Sequence, residues 1–315
     1  MTGVVHGGSA GEAPDAAADC GRTRMQELNR VNTGRERREV AAVTACGVAL
    51  WAEEPRTVER TRDLLGGSIT SGGALVIEGE GWLERVESMI ARSDPEDLRM
   101  LRAAAVNEDG TFNAWRACGV EAFRLRCRTA WLPGLVNAGG FRPYFQPIVH
   151  VESGDLLGYE SLIRAEVDGR LKTGLEIVDA ARAHNALFQL DSMSRVDAVR
   201  VGMPQLEPTE HLFVNFLPMT VREPVAAFAP VWEAAQAVGA DVRRLVFEVV
   251  ESEAFPDIGH LRRMLDELRS RGTKVALDDL GTGNSALTYI DELAPDFIKL
   301  AKGLIPEHPK QDDLL

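Results

Sequence analysis

The sequence predicts an α/β fold. It reads as a βα barrel with its first strand antiparallel, incomplete at about six of eight strands, behind a mostly helical N-terminal region. Three observations carry this reading. After Gly140, short runs rich in Val, Ile, Leu and Phe alternate with helix-length segments, the pattern of a parallel sheet covered by helices. Ser153-Gly154 joins the first two runs too tightly for a crossover, so those two strands must be antiparallel. Polar residues stand at the ends of successive strands, where barrels of this kind carry their functional groups.

Residues 1–24 are rich in Gly, Ala and Asp without periodicity and are expected to be a disordered leader; Met25 would serve as an alternative start. Residues 25–137 read as mostly helical, with no motif that assigns them a role. Helical spacing covers Thr23 to about Leu64, a short strand or hairpin falls within Ile69–Ile77, and Trp82–Ile90 is a helix. A further helix is expected from Pro95 to Val106, capped by Asp94, and another over 112–137. Residues 141–315 form the barrel region. Strands are expected at Tyr144–Val151 and Leu156–Ala165, followed by one long helix from about Gly174 to Met203. Next come strand His211–Phe216, helix Pro224–Val238 and strand Arg244–Glu251. Helix Asp257–Arg271, strand Lys274–Asp279, helix Asn284–Leu293 and strand Asp296–Ala301 complete the series.

Composition narrows the function. The chain has 315 residues, 45% hydrophobic and 26% charged, which is ordinary for a globular protein. No apolar run is long enough to cross a bilayer and no secretory signal opens the sequence, so a cytoplasmic protein without a membrane partner is expected. The net charge of −13 leaves no basic stripe for a nucleic-acid polymer. The short cluster Arg35-Glu36-Arg37-Arg38 is read as a solvated helix face. Cys20, Cys46, Cys118 and Cys127 lack zinc-ligand spacing and are read as small hydrophobes or surface thiols. An acidic protein can still act on a small phosphate ester if cations mediate the contact.

The strand ends supply Glu160, Asn215, Glu248 with Glu251, the pair Asp278-Asp279, and Lys299. Taken singly, each has an ordinary structural reading as a helix cap, a turn former or a rim salt bridge. As a set they do not, because burying several carboxylates in one barrel mouth is costly unless a cation neutralises them. Ligands that are all oxygen suit Mg²⁺ or Mn²⁺ rather than Zn²⁺.

On these motifs residues 141–301 resemble the EAL domain, a bacterial family that hydrolyses the second messenger cyclic di-GMP. The matching pieces are Phe145-Gln146-Pro147-Ile148-Val149, Glu160-Ser161-Leu162-Ile163-Arg164 and Val214-Asn215. They continue with Glu248-Val249-Val250-Glu251-Ser252, Asp278-Asp279-Leu280-Gly281-Thr282-Gly283-Asn284-Ser285 and Asp296-Phe297-Ile298-Lys299. The resemblance implies a TIM-like barrel and two-metal phosphodiesterase chemistry yielding pGpG. It implies that Glu160, Asn215, Glu248 and Asp278 hold the first ion, that Asp278 bridges to the second, and that Asp279 ligates the second. It makes Lys299 the residue that positions water or offsets charge, and gives Gln146 and Arg164 to the dinucleotide. Glu251 braces the loop Gly281-Thr282-Gly283. Members often act as dimers, so the resemblance implies a homodimer.

The sequence also departs from the family. Ser161 stands where the signature has Ala, and Ala301 stands where an acidic residue is usual. The family's barrel continues through two more strands carrying a further metal-ligating Glu, whereas this sequence ends at Leu315. A C-terminally truncated EAL domain is therefore expected, from a fragment or a truncated gene, with activity of these residues in doubt. The alternative is a degenerate EAL domain acting as a non-catalytic cyclic di-GMP receptor or protein-interaction module.

Overall fold

The computed structural model describes residues 45–250, 257–280 and 286–301, with the backbone of strand β1 (Val4–His6). The chain divides into two compact units. One comprises Arg38–Ala138 and Leu175–Ala186; the other comprises Met1–Arg37, Gly139–Gly174 and Leu187–Leu315.

The first unit begins with β2 (Gly47–Trp51), helix α1 (Pro55–Leu65), β3 (Ser68–Ile69), β4 (Leu75–Glu78) and helix α2 (Trp82–Arg92). It continues with α3 (Pro95–Met100), β5 (Arg102–Val106), β6 (Cys118–Gly119), α4 (Val120–Arg128) and α5 (Leu132–Ala138). The five strands form an antiparallel sheet in the order β3-β4-β2-β5-β6, and the path from β2 to β5 is a split β-α-β-β-α-β arrangement. Val48, Leu50, Leu75, Ile77, Val86, Met89, Leu101 and Phe123 form its core.

Among the described residues of this region, the sheet that the helices pack on corrects the reading of several segments. Gly47–Trp51 is a central strand rather than part of a helix, because a short apolar run fits either state until its neighbours are known. The helix expected over Pro95–Val106 stops at Met100. Asp94 caps it as expected, accepting from the Glu96 amide at 2.8 Å. Arg102–Val106 then pairs residue by residue with β2, so tertiary pairing overrides the helical preference of its three alanines. The segment expected as one helix over 112–137 holds β6, α4 and α5.

In the second unit β7 (Phe141–His150) and β8 (Leu156–Val167) form the antiparallel pair. Their turn closes with Gly154 at φ 74°, where a residue with a Cβ would be strained. After β9 (Arg170–Lys172) the strands β10 (His211–Asn215), β11 (Leu245–Val250), β12 (Lys274–Leu280) and β13 (Phe297–Leu300) follow. The sheet runs β1-β7-β8-β10-β11-β12-β13, parallel from β8 to β13, with β9 attached to β8. The six barrel strands are thus those the sequence predicts.

Within the expected disordered leader, the backbone of Val4–His6 is ordered as β1, antiparallel to β7. Its residues find hydrogen-bonding partners on the edge of β7. The remainder of residues 1–24 and the Arg35–Arg38 cluster lie outside the described residues. The long helix expected from Gly174 to Met203 is two helices, α6 (Gly174–Ala183) and α7 (Leu187–Gly202), broken at Asn185 with φ 56°. Helices α8 (Pro224–Ala237), α9 (Ile258–Ser270) and α10 (Ala286–Leu293) fall between the remaining parallel strands.

Two apolar layers flank this sheet. Phe145, Leu212, Val214, Phe247, Val249 and Val275 belong to a buried cluster with residues of α7, α8 and α9. Ile148, Phe213, Val246 and Ala276, with Leu157 and Phe297, form a separate cluster on the opposite face. Because side chains alternate along a strand, residues two positions further on share the face of that second cluster. From Phe213, Val246, Ala276 and Phe297, two steps lead to Asn215, Glu248, Asp278 and Lys299. Every parallel strand after β8 therefore places one polar residue on the inner face, one layer nearer its C-terminal end.

Candidate metal centre

Glu160 on β8 faces this same layer. Strand β8 lies close enough to β10 that a Cβ at Gly158 would come 2.1 Å from the His211 carbonyl oxygen. The parallel registers then set Glu160 beside Phe213 and Asn215 beside Glu248. Carboxylate oxygens of Glu160, Glu248 and Asp278 come together within 4.8 Å of one another. Glu160 and Glu248 are buried, and the Asp278 side chain is 19% exposed.

Lys299 sits among them. Its Nζ lies 2.9 Å from Glu160 Oε2, 3.0 Å from Glu248 Oε1 and 3.3 Å from Asp278 Oδ2. It donates a hydrogen bond to Glu160, while Asn215 Nδ2 donates to the other oxygen of Glu160 at 3.0 Å. Both oxygens of Glu248, a fully buried side chain, receive no hydrogen bond among the described residues. Buried oxygens in that condition are costly, and they are what a hard cation takes as ligands.

The electrostatics follow from crowding. Burial raises the Glu248 carboxyl well above its ordinary range, the Glu160 charge raises it further, and Lys299 opposes both. Burial also raises Asp278, with Lys299 opposing and Glu160 adding to the rise. For Lys299, burial favours the neutral amine, but Glu248, Glu160 and Asp278 together outweigh it and hold the ammonium above the usual lysine range. Three carboxyl groups thus share one ammonium.

The other expected site residues divide. Asp279 follows Asp278 at φ 57°, where the β12–β13 register shifts, and its amide donates to Asp278 Oδ1 at 2.9 Å. Such irregularities re-aim side chains beside functional centres. Asp279 is exposed and stands outside the carboxylate trio. Gln146 on β7 pairs directly opposite Glu160 and is half-buried. Arg164 lies four residues beyond Glu160 on the same strand, half-buried, with Nη1 donating to the Ile163 carbonyl at 2.8 Å. Glu251 and the loop Gly281-Thr282-Gly283 lie outside the described residues.

Sequence reasoning passed over Asp191 and Arg195, a buried ion pair on α7 that reaches the turn after β10. The available signal was their spacing: at i and i+4 they share the helix face of Ala198 and Gly202, which should have been apolar throughout.

An arc of parallel strands behind one antiparallel strand, carrying buried carboxylates around one inner position at their C-terminal ends, is the arrangement of an incomplete barrel with a candidate cation site. The EAL domain family model matches residues 129–314, more than half of the chain, and the chain belongs to that family. The probable cyclic di-GMP phosphodiesterase PdeD of Escherichia coli strain K12 is 25% identical over 166 residues, covering 51% of this chain and 30% of that protein. The probable cyclic di-GMP phosphodiesterase PdeG of the same organism is 29% identical over 175 residues, covering 52% of this chain and 33% of that protein. The chain thus spans about a third of the length of these curated relatives. The FimX EAL domain from Pseudomonas aeruginosa, solved bound to c-di-GMP, superposes with a TM-score of 0.51 at 19% identity. That match covers 58% of this chain and 75% of the other, and it shows the shared fold. Among the described residues no helix is long and apolar enough to cross a membrane.

Proposed function

We propose that this chain carries the centre of a divalent-cation-dependent cyclic di-GMP phosphodiesterase, which adds water across one phosphodiester bond to give linear pGpG. The observation that carries the proposal is the trio Glu160, Glu248 and Asp278 around one inner position, with both Glu248 oxygens lacking a hydrogen bond. The donors are all oxygen, which fits Mg²⁺ or Mn²⁺.

In this reading Glu160, Asn215, Glu248 and Asp278 would hold one ion, and Asp278 and Asp279 would hold a second. Bound ions supply Lewis acidity at the phosphoryl group. Lys299, beside all three carboxylates, supplies a positive charge that positions water and offsets charge on the phosphoryl oxygens. Gln146, opposite Glu160, and Arg164 orient the dinucleotide, the guanidinium suiting a phosphate.

The test measures pGpG formed from cyclic di-GMP with Mn²⁺ for this chain and for Glu160→Ala. Turnover that the substitution abolishes supports the reading. Nucleotide binding without turnover in the unsubstituted chain sinks it.

A further inference from the structure

We infer that Asp191, Arg195 and Thr220 act as positioning residues that fix the turn after β10 and, through it, the amide of Asn215, thereby setting cation affinity at the centre. This inference rests on the proposed metal reading. The Arg195 and Asp191 side chains are 1% and 4% exposed, and they pair within one helix at i and i+4. A buried ion pair is weak evidence for stability, since apolar residues of similar volume often serve as well. What this pair supplies beyond an apolar pair is directed hydrogen bonds, and those converge on one turn.

Asp191 Oδ1 accepts from the Leu217 amide at 2.9 Å, and Oδ2 accepts from the Thr220 hydroxyl at 2.7 Å and from Arg195 Nη1. Arg195 Nη2 donates to the Ala227 carbonyl at 3.2 Å, and the guanidinium lies 4.7 Å from the centre of the Phe228 ring. One buried pair therefore grips both the turn at Pro218–Thr220 and the start of α8.

The turn is tied to the metal centre by two residues of backbone. The Phe216 amide donates to the Glu248 carbonyl at 3.1 Å, and the next amide, Leu217, donates to Asp191. Asn215, immediately before them, donates its Nδ2 to Glu160. The amide is thus held on both sides, with its nitrogen engaged by a carboxylate and its carbonyl oxygen retained as the donor a hard cation requires. Partners of this outer kind typically alter metal affinity by an order of magnitude or more.

The experiment uses the full chain with Mn²⁺ as the probe. Thr220→Val keeps the side-chain shape and removes the hydroxyl, and Thr220→Ser restores it. Binding is followed by electron paramagnetic resonance, and the Asn215 side-chain amide is followed by NMR in the metal-free protein. The expected result is about tenfold weaker Mn²⁺ binding for Thr220→Val, recovery in Thr220→Ser, and no additional loss when Thr220→Val is added to Asn215→Ala. The Asn215 amide signal should shift or broaden in Thr220→Val and return in Thr220→Ser. Affinity within about twofold of the unsubstituted chain, or the same loss in the Asn215→Ala background, overturns the inference. If the unsubstituted chain binds no Mn²⁺, the metal reading fails by itself. The NMR signal then decides the positioning role, and an unchanged Asn215 resonance refutes it.

Discussion

Replacing Lys299 with methionine keeps a long apolar stem and removes the ammonium that lies among Glu160, Glu248 and Asp278. The three ion-pair distances run from 2.9 to 3.3 Å. At an effective dielectric of about 20, each contact of that length corresponds to about 5 kcal/mol before desolvation is charged against it. The net effect is smaller, and loss of one partner from a buried ionic group typically costs about 3–5 kcal/mol. The variant should be destabilised by that amount at neutral pH without metal. Because the chain has two compact units, the loss is best read locally, by hydrogen exchange of the β11 amides over Leu245–Val249. A change of 3–5 kcal/mol lowers protection by roughly two to four orders of magnitude. Protons or a divalent cation can replace the missing charge, so lowering the pH or adding Mn²⁺ should restore protection in Lys299→Met far more than in the unsubstituted chain. If neither does so, the carboxylates do not share one uncompensated site and the electrostatic reasoning fails.

Three further outcomes are expected. The raised Glu248 and Asp278 carboxyls mean that the folded metal-free protein binds more protons than the unfolded chain at pH values between their ordinary and raised pKa values. Stability should therefore fall as pH rises through that window and Mn²⁺ should flatten the slope, as unfolding monitored from about pH 5 to about pH 8 will reveal. Gly158→Ala places a Cβ against the His211 backbone and should cost about 1–3 kcal/mol, with exchange in β8 and β10 rising while β2 and β5 are unaffected. Burial lifts the Cys127 thiol to about 11, so its alkylation at mildly alkaline pH should be much slower than that of an unfolded peptide carrying the same cysteine; equal rates would contradict it.

The barrel strands were legible because their apolar runs are short and bounded, and because a barrel requires its chemistry at strand ends. Glu160, Asn215, Glu248, Asp278 and Lys299 could thus be placed before any coordinates. The first unit was less legible for a physical reason. Ala103, Ala104 and Ala105 favour helix locally, and only pairing with Val48, Ala49 and Leu50 makes that stretch a strand. Asp191 and Arg195 were hidden differently. Their place on the face of Ala198 and Gly202 was a signal, but an Asp and an Arg four residues apart also look like a solvated helix pair, and it is tertiary packing that covers them.

The same logic gives the position of Lys299 a functional meaning. Glu160, Glu248 and Asp278 lie too close and too deep for all three to remain ionised without a countercharge. Three kinds of charge can satisfy them: protons on Glu248 and Asp278, the Lys299 ammonium, or a divalent cation. Lys299 makes three short contacts with them, and burial favours the protonated forms of Glu248 and Asp278. A cation entering the trio must displace those protons, and it competes with Lys299 for the same oxygens. Its affinity should accordingly weaken as pH falls. On this reading the Lys299 ion pairs and a bound cation are alternative ways of neutralising one set of charges.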